Sequence, residues 1–389
     1  MKKYNILYYT WNEYTALDGI SILKEMGHNV LVASDEHEKY DNDDNFLSSI
    51  ETKIESHKAD FIFSFNYFPD LSRIALKKEI LYISWCFDSA LLTLKSITLS
   101  NECNRVFLFD YDLYSKYVKE GFKTVFYMPL GCNIKRLDSQ IGSKFNGVRK
   151  YNHEVCFLGN LYDDQYDFYS QIGYVPDYLI GYLDCAMESQ MQIFGMDIIS
   201  TLMRPDICEE LAKSANVQMG PLYRECRNDI LINMIHKQTT VRERRRLLTV
   251  LGEFFDVSLY SSKEPKGIPV KYLGYSEYMK QMPEIFYTSK INLNITLRGI
   301  ISGIPLRVID ILGSGGFCLT NFQPELPEYF TNNENIVWYE SQEDLFEKII
   351  YYLKNDTERE RIANSGHELA KKLFSYDILF SKIFEEAGL

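Results

Sequence analysis

Two residues of opposite charge, Arg307 and Asp310, lie three positions apart in the segment SGIPLRVIDILGSGGFCLTN, residues 302–321. Side chains three positions apart share one face of a helix. The apolar run around them predicts a buried helix, and the glycines after it, including Gly315 and Gly316, predict a tight turn into a strand. The pair is therefore either a structural ion pair or a pair that contacts a ligand.

A second polar pattern precedes this helix, in the stretch NLNITLR. Its alternation places Asn292, Asn294 and Thr296 on one face of a strand, with Arg298 close to the end. Polar side chains in a buried strand are costly unless they are hydrogen-bonded. We expect Asn294, Thr296 and Arg298 to contact a substrate, and a buried hydrogen-bond network is the alternative.

Other motifs point to ordinary structural roles. The DYD stretch formed by Asp110 and Asp112 resembles a metal-binding motif, but its position at the start of a helix favours capping. The RERRR run, residues 242–246, predicts a solvated helix face, with a diphosphate clamp as the alternative. The GSGG turn has no following Lys-Ser or Lys-Thr, so it is not a phosphate-binding P-loop.

Apolar runs of strand length alternate with helical segments in the first third of the chain. The runs are residues 4–9, 29–34, 59–65, 80–87, 105–110 and 124–131. Strands that are apolar throughout and joined by helices form a doubly wound parallel sheet. The pattern resets after the polar stretch 132–153, a predicted hinge, and strands return at residues 154–160, 256–261, 270–275, 290–295 and 316–321.

These elements predict an α/β protein with two Rossmann-like parallel-sheet domains, residues 1–150 and 151–389, that face a cleft. A helical insertion of the second domain is expected at about residues 162–250. Parallel sheets bind ligands outside the carboxyl ends of their strands, so the polar residues there are site candidates. In the second domain these include Gly159, Asn160 and Tyr275.

The first domain offers two carboxylates at strand ends, Glu13 and Asp88. Either is a candidate catalytic base for a hydroxyl group within hydrogen-bond reach. The alternatives are a helix-entry acid for Glu13 and a cap of the following turn for Asp88.

Composition excludes several classes of protein. The 389 residues carry a net charge of −12, which argues against a general nucleic-acid binder. No apolar run is long enough for a membrane helix, and the start of the chain reads as a strand rather than a signal peptide. Eight scattered cysteines without CxxC spacing predict reduced thiols and a cytoplasmic location.

Several stretches resemble one protein family. They are YYTWNEY near the start, MPLGCN, VCFLGNLY, residues 339–366 and, most specifically, SKINLNITLRGIISGIPLRVIDILGSGGFCLTN, residues 289–321. Together they resemble the glycosyltransferases of the GT-B fold and, within these, the CgeB-like bacterial proteins known as spore maturation factors. The resemblance spans most of the chain.

The resemblance implies an enzyme that moves a sugar from a nucleotide-diphosphate donor, expected to be UDP-linked, to a hydroxyl of a sugar, protein or lipid-linked acceptor in the interdomain cleft. Many such enzymes carry two glutamates in this helix, and the matching positions here are Ser302 and Asp310. Asp310 would hold the ribose hydroxyls and Arg307 the diphosphate, close to the Gly315–Gly316 turn.

The sequence offers no convincing carboxylate pair for a metal ion at the donor site, so we expect a metal-independent enzyme that uses the nucleotide sugar as a co-substrate and needs no cofactor. In such folds the last helix, near residues 375–389, commonly crosses back to the first domain. Ser302 departs from the family pattern and leaves a second hypothesis open, a degenerate member that binds a nucleotide sugar or a partner protein without catalysis.

Overall fold

The computed structural model describes residues 2–36, 43–89, 91–162, 169, 172–215, 217 and 220–389. The chain divides into two compact units. Unit 1 comprises residues 1–133, 218–226 and 373–389, and unit 2 comprises residues 134–217 and 227–372. Each unit contains one parallel sheet flanked by helices, which confirms the predicted fold class.

The described strands are β1 Asn5–Tyr9, β2 Asn29–Ala33, β3 Phe61–Phe65, β4 Leu81–Cys86, β5 Asn104–Leu108, β6 Val125–Tyr127, β7 His153–Leu158, β8 Val257–Tyr260, β9 Lys271–Tyr272, β10 Ser289–Asn294, β11 Cys318–Asn321 and β12 Val337–Tyr339. The described α-helices are α1 Ala16–Glu25, α2 Asp44–His57, α3 Pro69–Lys77, α4 Tyr111–Lys119, α5 Ile134–Phe145, α6 Asp177–Gln192, α7 Ile199–Leu202, α8 Pro205–Ala212, α9 Arg227–Phe254, α10 Met282–Tyr287, α11 Leu306–Gly313, α12 Leu326–Tyr329, α13 Gln342–Lys354, α14 Asp356–Leu373 and α15 Tyr376–Ala387.

The sheet of unit 1 has the order β2-β1-β3-β4-β5-β6, and its strand pairs are parallel. Strand β3, FIFSF, is buried along its whole length because helices cover both faces of the sheet. The chain first steps outward from β1 to β2 and then continues on the other side of β1 with β3. The strand order therefore reverses between β1 and β3, where the carboxyl ends of the strands leave a crevice.

The last helix, α15, belongs to unit 1. Its aromatic side chains recur every four positions and so share one face. Phe380 packs against Phe63 with ring centroids 5.4 Å apart, and Phe384 packs against Phe61 at 5.5 Å. The chain thus ends on the buried strand β3 of the sheet with which it began.

The sheet of unit 2 has the order β12-β11-β10-β7-β8-β9 and is also parallel. From β7 the chain moves to one side through β8 and β9, and then returns to the other side of β7 with β10. The strand order therefore reverses between β7 and β10. Ligands of doubly wound sheets bind at the carboxyl ends of the two strands at such a point.

A helical insertion separates β7 from β8, as predicted. Helices α6 to α9 lie there and form a hydrophobic cluster of their own, which includes Leu183, Met187, Leu211 and Ile235. One stretch of the insertion belongs to unit 1, where the main-chain N–H of Ile97 donates to the carbonyl of Leu222 at 2.9 Å.

The segment expected to be a hinge, residues 132–153, is largely helical. Helix α5 buries Ile134 and Leu137, three positions apart, and belongs to unit 2, so the units divide after Asn133 rather than at residue 150. Gln140 of this helix donates to the carbonyl of Lys280 at 2.9 Å. The polar composition of this segment predicted a linker. The contacts that hold α5 against unit 2 are made to residues distant in sequence, so composition could not indicate them.

Among the described residues, no helix is both long enough and apolar enough to cross a bilayer.

Candidate functional site

The carboxyl ends of β7 and β10 are bridged by a buried arginine, Arg244 of α9. Its Nε donates to the carbonyl of Ile295 at 3.1 Å, and its Nη1 donates to the carbonyl of Asn160. Ile295 follows β10 and Asn160 follows β7, so one guanidinium spans the point where the strand order reverses. Only part of the RERRR run is the solvated helix face that its charge pattern predicted. Glu243 and Arg244 point into unit 2 and are buried, whereas Arg246 is exposed.

Burial lowers the pKa of Arg244, Tyr162 and the negative charge of Glu243 raise it, and the positive charge of Arg307 lowers it. The two cations therefore lie within electrostatic range of each other. The carbonyl partners of Arg244 are neutral, and the carboxylate of Glu243 is already bonded to Arg298. The guanidinium is flanked by aromatic rings, with its central carbon 5.4 Å from the ring centroid of Phe157 and 5.0 Å from that of Tyr162.

Arg307 and Asp310 do not form the ion pair that was one interpretation of their spacing. Arg307, in the first turn of α11, lies over the ring of Phe286 at 5.6 Å, and its Nη1 is buried without a hydrogen-bond partner among the described residues. Asp310 is buried, and its Oδ1 accepts a hydrogen bond from the hydroxyl of Tyr278 at 2.9 Å. Sequence reasoning missed Tyr278, which lies 32 positions away.

Arg298 is bonded to groups of the protein itself. Its Nε and Nη2 donate to both carboxylate oxygens of Glu243 at 2.8 and 2.6 Å, and its Nη1 donates to the carbonyl of Ile193. Its guanidinium also stacks over the ring of Phe194 at 4.4 Å. These bonds tie the insertion to the loop after β10 and give Arg298 a structural role.

The polar stripe on β10 forms a buried network. The Nδ2 of Asn294 donates to the hydroxyls of Thr296 and Thr320 at 3.0 and 2.9 Å. The main-chain N–H of Thr296 donates to Oδ1 of Asn321 at 2.8 Å. These contacts match the alternative interpretation of the stripe, since the polar groups satisfy one another.

A small, open depression adjoins this network within unit 2. Thr296 and Arg298 line it from the loop after β10, and Gln323 lines it from the segment after β11. Gly195 and Met196 of the insertion close another side. The insertion therefore shapes the carboxyl edge of the sheet instead of lying apart from it.

Ser302 contacts a carboxylate from another segment. Its Oγ donates to Oε1 of Glu325 at 2.7 Å, and both residues are buried. The position where the resemblance places a glutamate thus has a carboxyl group beside it, supplied from 23 positions further along the chain. No pattern in the sequence indicated this pairing.

The remaining candidates in unit 2 are dispersed. Asn160 accepts a hydrogen bond from the hydroxyl of Ser262 at 2.7 Å, beside Gly159 at the end of β7. Tyr275 is exposed, beyond the edge strand β9.

Gly315 and Gly316 lie at the opposite edge of the sheet, because α11 begins at the carboxyl edge and runs back to the start of β11. A Cβ atom at Gly316 would lie 2.7 Å from Nδ2 of Asn292 and 2.8 Å from the carbonyl of Phe286. The predicted tight turn is present, but the structure does not bring it to the carboxyl edge where Arg307 begins α11.

In unit 1, the candidate base Glu13 is buried at the turn after β1. Its carboxylate accepts hydrogen bonds from the hydroxyls of Tyr8 and Thr10 at 2.9 and 2.8 Å and from the N–H of Trp11 at 3.0 Å. Burial raises the pKa of Glu13, and these hydrogen bonds oppose the rise. Glu13 therefore holds the turn after β1 and is not available as a base.

Asp88, two residues after β4, is exposed. It accepts a hydrogen bond from Nδ2 of Asn66 at 2.7 Å, and Oδ1 of Asn66 accepts from the N–H groups of Phe87 and Asp88. Although Asp88 is exposed, the protein around its carboxylate raises its pKa by desolvation, and the Asn66 hydrogen bond lowers it. The 3-10 turn Leu92–Lys95 further along the chain has no side-chain cap.

The DYD stretch caps a helix, as predicted. Oδ1 of Asp110 accepts hydrogen bonds from the N–H groups of Asp112 and Leu113 at the start of α4, and Asp112 pairs with Lys116 at 2.9 Å. A search of the described residues found no group of His, Cys, Asp and Glu side chains arranged to hold a metal ion.

Residues 238–384, which is less than half of the chain, match the model of a family described as glycosyl transferase-like. This match includes α11, Arg244 and the carboxyl end of β10. No curated protein matches the sequence.

Solved glycosyltransferases share the fold. A glycosyltransferase from Rickettsia africae is 13% identical, with 100% of this chain and 98% of that chain covered and a TM-score of 0.51. Anabaena HepE in complex with UDP-glucose is 12% identical, with 99% of both chains covered and a TM-score of 0.54. The β-glucosyltransferase of phage T4 is 12% identical, also with 99% of both chains covered, at 0.51. These likenesses show that the chain has the GT-B fold.

Proposed function

We propose that this protein is a glycosyltransferase that moves a sugar from a nucleotide-diphosphate donor to a hydroxyl acceptor. The observation that carries the proposal is the environment of Arg307 at the carboxyl edge of unit 2. Arg307 is half-buried, its Nη1 is buried without a hydrogen-bond partner among the described residues, and the buried guanidinium of Arg244 lies within electrostatic range.

Two neighbouring cations of this kind are unfavourable unless something compensates them. Burying a charge without a partner is costly, and like charges repel strongly where water is displaced. A diphosphate supplies both the negative charge and the acceptor oxygens that such a site lacks, and a guanidinium matches phosphate oxygens with two parallel hydrogen bonds. We therefore assign Arg307 to the diphosphate of the donor, with Arg244 adding positive charge from the other side of the strand reversal.

Asp310 is the second donor contact in this proposal. Its carboxylate lies one helical turn from Arg307, so a ligand whose diphosphate meets Arg307 would bring its ribose towards Asp310. A carboxylate is a suitable acceptor for two neighbouring hydroxyls. The hydroxyl of Tyr278 holds one carboxylate oxygen in place at 2.9 Å.

The nucleotide is proposed to be UDP. Anabaena HepE was solved with UDP-glucose, and a DNA-modifying β-glucosyltransferase was solved in the presence and absence of its substrate uridine diphosphoglucose. Those ligands belong to proteins with only 10–12% identity to this chain, so they support the donor class and leave the sugar open.

On the acceptor side, we propose Asp88 as the base. As the acceptor oxygen forms a bond to the anomeric carbon, the bond from that carbon to the diphosphate breaks, and the hydroxyl proton passes to the Asp88 carboxylate. The developing charge on the leaving diphosphate is stabilised by Arg307 and Arg244. This arrangement assigns no step to a metal ion.

A non-catalytic protein that binds a nucleotide sugar is the second candidate. Ser302 favours it, because a serine stands where the resemblance places a carboxylate that contacts the donor sugar. The hydrogen bond between Ser302 and Glu325 weakens this argument for a non-catalytic protein, since it holds a buried carboxyl group next to Ser302.

The experiment that separates the two candidates measures UDP binding by calorimetry and nucleotide release from UDP-, GDP- and dTDP-glucose. Binding together with release, reduced in Arg307→Ala, supports the enzyme. Binding without release from any donor supports the non-catalytic candidate, and a protein that binds none of the nucleotides contradicts both. Arg242→Ala is the matched control, because Arg242 belongs to the same run as Arg244 but pairs with Asp184 at 2.6 Å.

A further inference from the structure

The carboxyl edge of the sheet in unit 1 presents an aromatic surface at the point where its strand order reverses. Trp11 follows β1 and Phe87 follows β4. Their rings are nearly parallel, inclined by 24°, with centroids 6.0 Å apart. The indole N–H of Trp11 donates to the carbonyl of Phe65, the last residue of β3, at 3.2 Å. The tryptophan thus bridges β1 and β3, the position in a doubly wound sheet where ligands bind.

Trp11 differs from the other two tryptophans of the chain in its exposure. Trp85 and Trp338 are 0% and 8% exposed, whereas Trp11 is 37% exposed. Its polar N–H is already satisfied by Phe65, so what it offers to solvent is apolar ring surface. An exposed aromatic ring that is fixed by a hydrogen bond loses little conformational freedom when a ligand stacks on it.

The turns that carry this surface are held in an uncommon backbone conformation. Asn12 and Asn66, which follow β1 and β3, have φ angles of 67° and 60°. Glu13 fixes the first turn through the N–H of Trp11, and Asn66 fixes the second through the N–H groups of Phe87 and Asp88. Left-handed residues that the surrounding structure holds in this way are frequent at binding sites.

A hydrogen-bonding group borders the aromatic surface. Asp88 directly follows Phe87, and its carboxylate is held at 2.7 Å by Asn66. Apolar ring surface next to a carboxylate suits a ligand that has a flat apolar face and hydroxyls at its edge. A pyranose ring has this form, since its axial C–H groups make one face apolar while its hydroxyls project from the rim.

We propose that the acceptor is a saccharide whose pyranose ring stacks on the Trp11–Phe87 surface and directs one hydroxyl to Asp88. This inference rests on the proposed glycosyltransferase function and names the class of its second substrate. A flat nucleobase in DNA is the competing occupant. It is disfavoured because a carboxylate borders the surface and the chain carries a net charge of −12, so both would repel phosphates.

The test uses the full chain and a panel of neutral saccharides: methyl α- and β-glucopyranoside, N-acetylglucosamine, maltose and cellobiose. Binding is followed by saturation-transfer NMR and by tryptophan fluorescence. Because Trp11 is the exposed tryptophan, stacking should change its emission. We expect at least one saccharide to bind, and Trp11→Ala and Phe87→Ala each to weaken it about tenfold, the scale of one lost stacking contact.

Tyr178→Ala is the matched control, because Tyr178 is an exposed aromatic residue of the insertion, 64% exposed, outside both assigned sites. This variant should bind the saccharide as the wild type does. UDP affinity is measured on every variant and should not change, so that failure here is distinguishable from failure of the proposed function.

Three results would overturn the inference: no saccharide of the panel binds, the saccharide binds equally well to both alanine variants, or only DNA binds at Trp11. If one variant fails to fold, as judged by its circular dichroism, the other decides the question.

Discussion

Arg307 and Asp310 lie three positions apart on α11, yet they bond to different parts of unit 2. Asp310 accepts a hydrogen bond from Tyr278, while Arg307 stacks over Phe286 and leaves Nη1 without a hydrogen-bond partner among the described residues. A buried ion pair would be satisfied without a ligand. This arrangement leaves the cation available to an anion.

Arg307→Ala should weaken UDP binding without unfolding the protein. Loss of a hydrogen bond to a charged group costs about 1.5 to 3 kcal/mol, or roughly 10- to 150-fold in Kd. The melting temperature should stay close to that of the wild type, because the change leaves no carboxylate unpaired. Arg307→Lys should retain part of the affinity, since it keeps the charge but loses the planar fork. Titrations and thermal melts check both. A collapsed melting temperature with unchanged affinity for UDP would contradict the assignment.

Arg298→Ala should have the opposite profile. It leaves the Glu243 carboxylate buried without its bidentate partner, which costs about 3 to 5 kcal/mol of unfolding free energy. The double variant Arg298→Met with Glu243→Gln should recover part of that loss, because it removes both charges together. Urea unfolding measures the effect. A stable Arg298→Ala protein with lost UDP binding would show that Arg298 contacts the donor after all.

The pH profile of turnover should identify Asp88 as the base. A base acts when deprotonated, so turnover falls as the pH drops through its pKa. Desolvation raises the pKa of Asp88, so the acid limb should lie above the ordinary aspartate value of about 3.9. Asn66→Gly removes the amide that lowers this pKa while allowing the left-handed backbone, and should shift the limb to higher pH.

The matched comparison for this profile is Asp88→Asn, which should abolish the limb together with most of the turnover. A limb that stays in place in both variants would assign the titration to another group.

Transfer should survive removal of divalent cations. The proposed site neutralises the leaving diphosphate with Arg307 and Arg244, and Asp110 of the DYD stretch is occupied as a helix cap. Turnover measured with and without EDTA should therefore agree. If EDTA abolished turnover and Mn²⁺ restored it, the transfer would require a metal-binding carboxylate, and this part of the proposal would be contradicted.

Gly316→Ala should reduce stability and leave UDP affinity unchanged. The new Cβ would lie 2.7 Å from Nδ2 of Asn292, so the neighbouring groups must shift, at a cost of about 1 to 3 kcal/mol. Gly142→Ala is the control, since a Cβ there has no neighbour within 4 Å. Equal stability of the two variants would show that the turn tolerates a side chain at position 316. Weakened UDP binding by Gly316→Ala would indicate that Gly316 belongs to the donor site.

The sheets were predictable because the signal for each strand is local. Runs such as FIFSF are apolar throughout, and a strand covered on both faces requires that composition. The cap at Asp110 was predictable for the same reason, since its partners lie two and three positions away.

The partners of the site residues were not predictable, because they are set by contacts between distant segments. Arg298 binds Glu243 across 55 positions, and Ser302 meets Glu325 across 23. The RERRR run shows the limit most directly. Two arginines of this run, two positions apart, have different roles: Arg244 forms a buried bridge and Arg246 forms a surface ion pair with Glu188. Only the packing of α9 distinguishes them.

The position of Arg244 also determines which parts of the chain can be exchanged as modules. Helix α9 closes the insertion, but its second half delivers Glu243 and Arg244 to the carboxyl edge of the sheet. A chimaera that replaces everything between β7 and β8 would remove both residues together with the insertion. Grafts between related chains should therefore end before α9 begins at Arg227. The grafted segment then supplies helices α6 to α8, and the chain that receives it keeps its own Arg244 bridge.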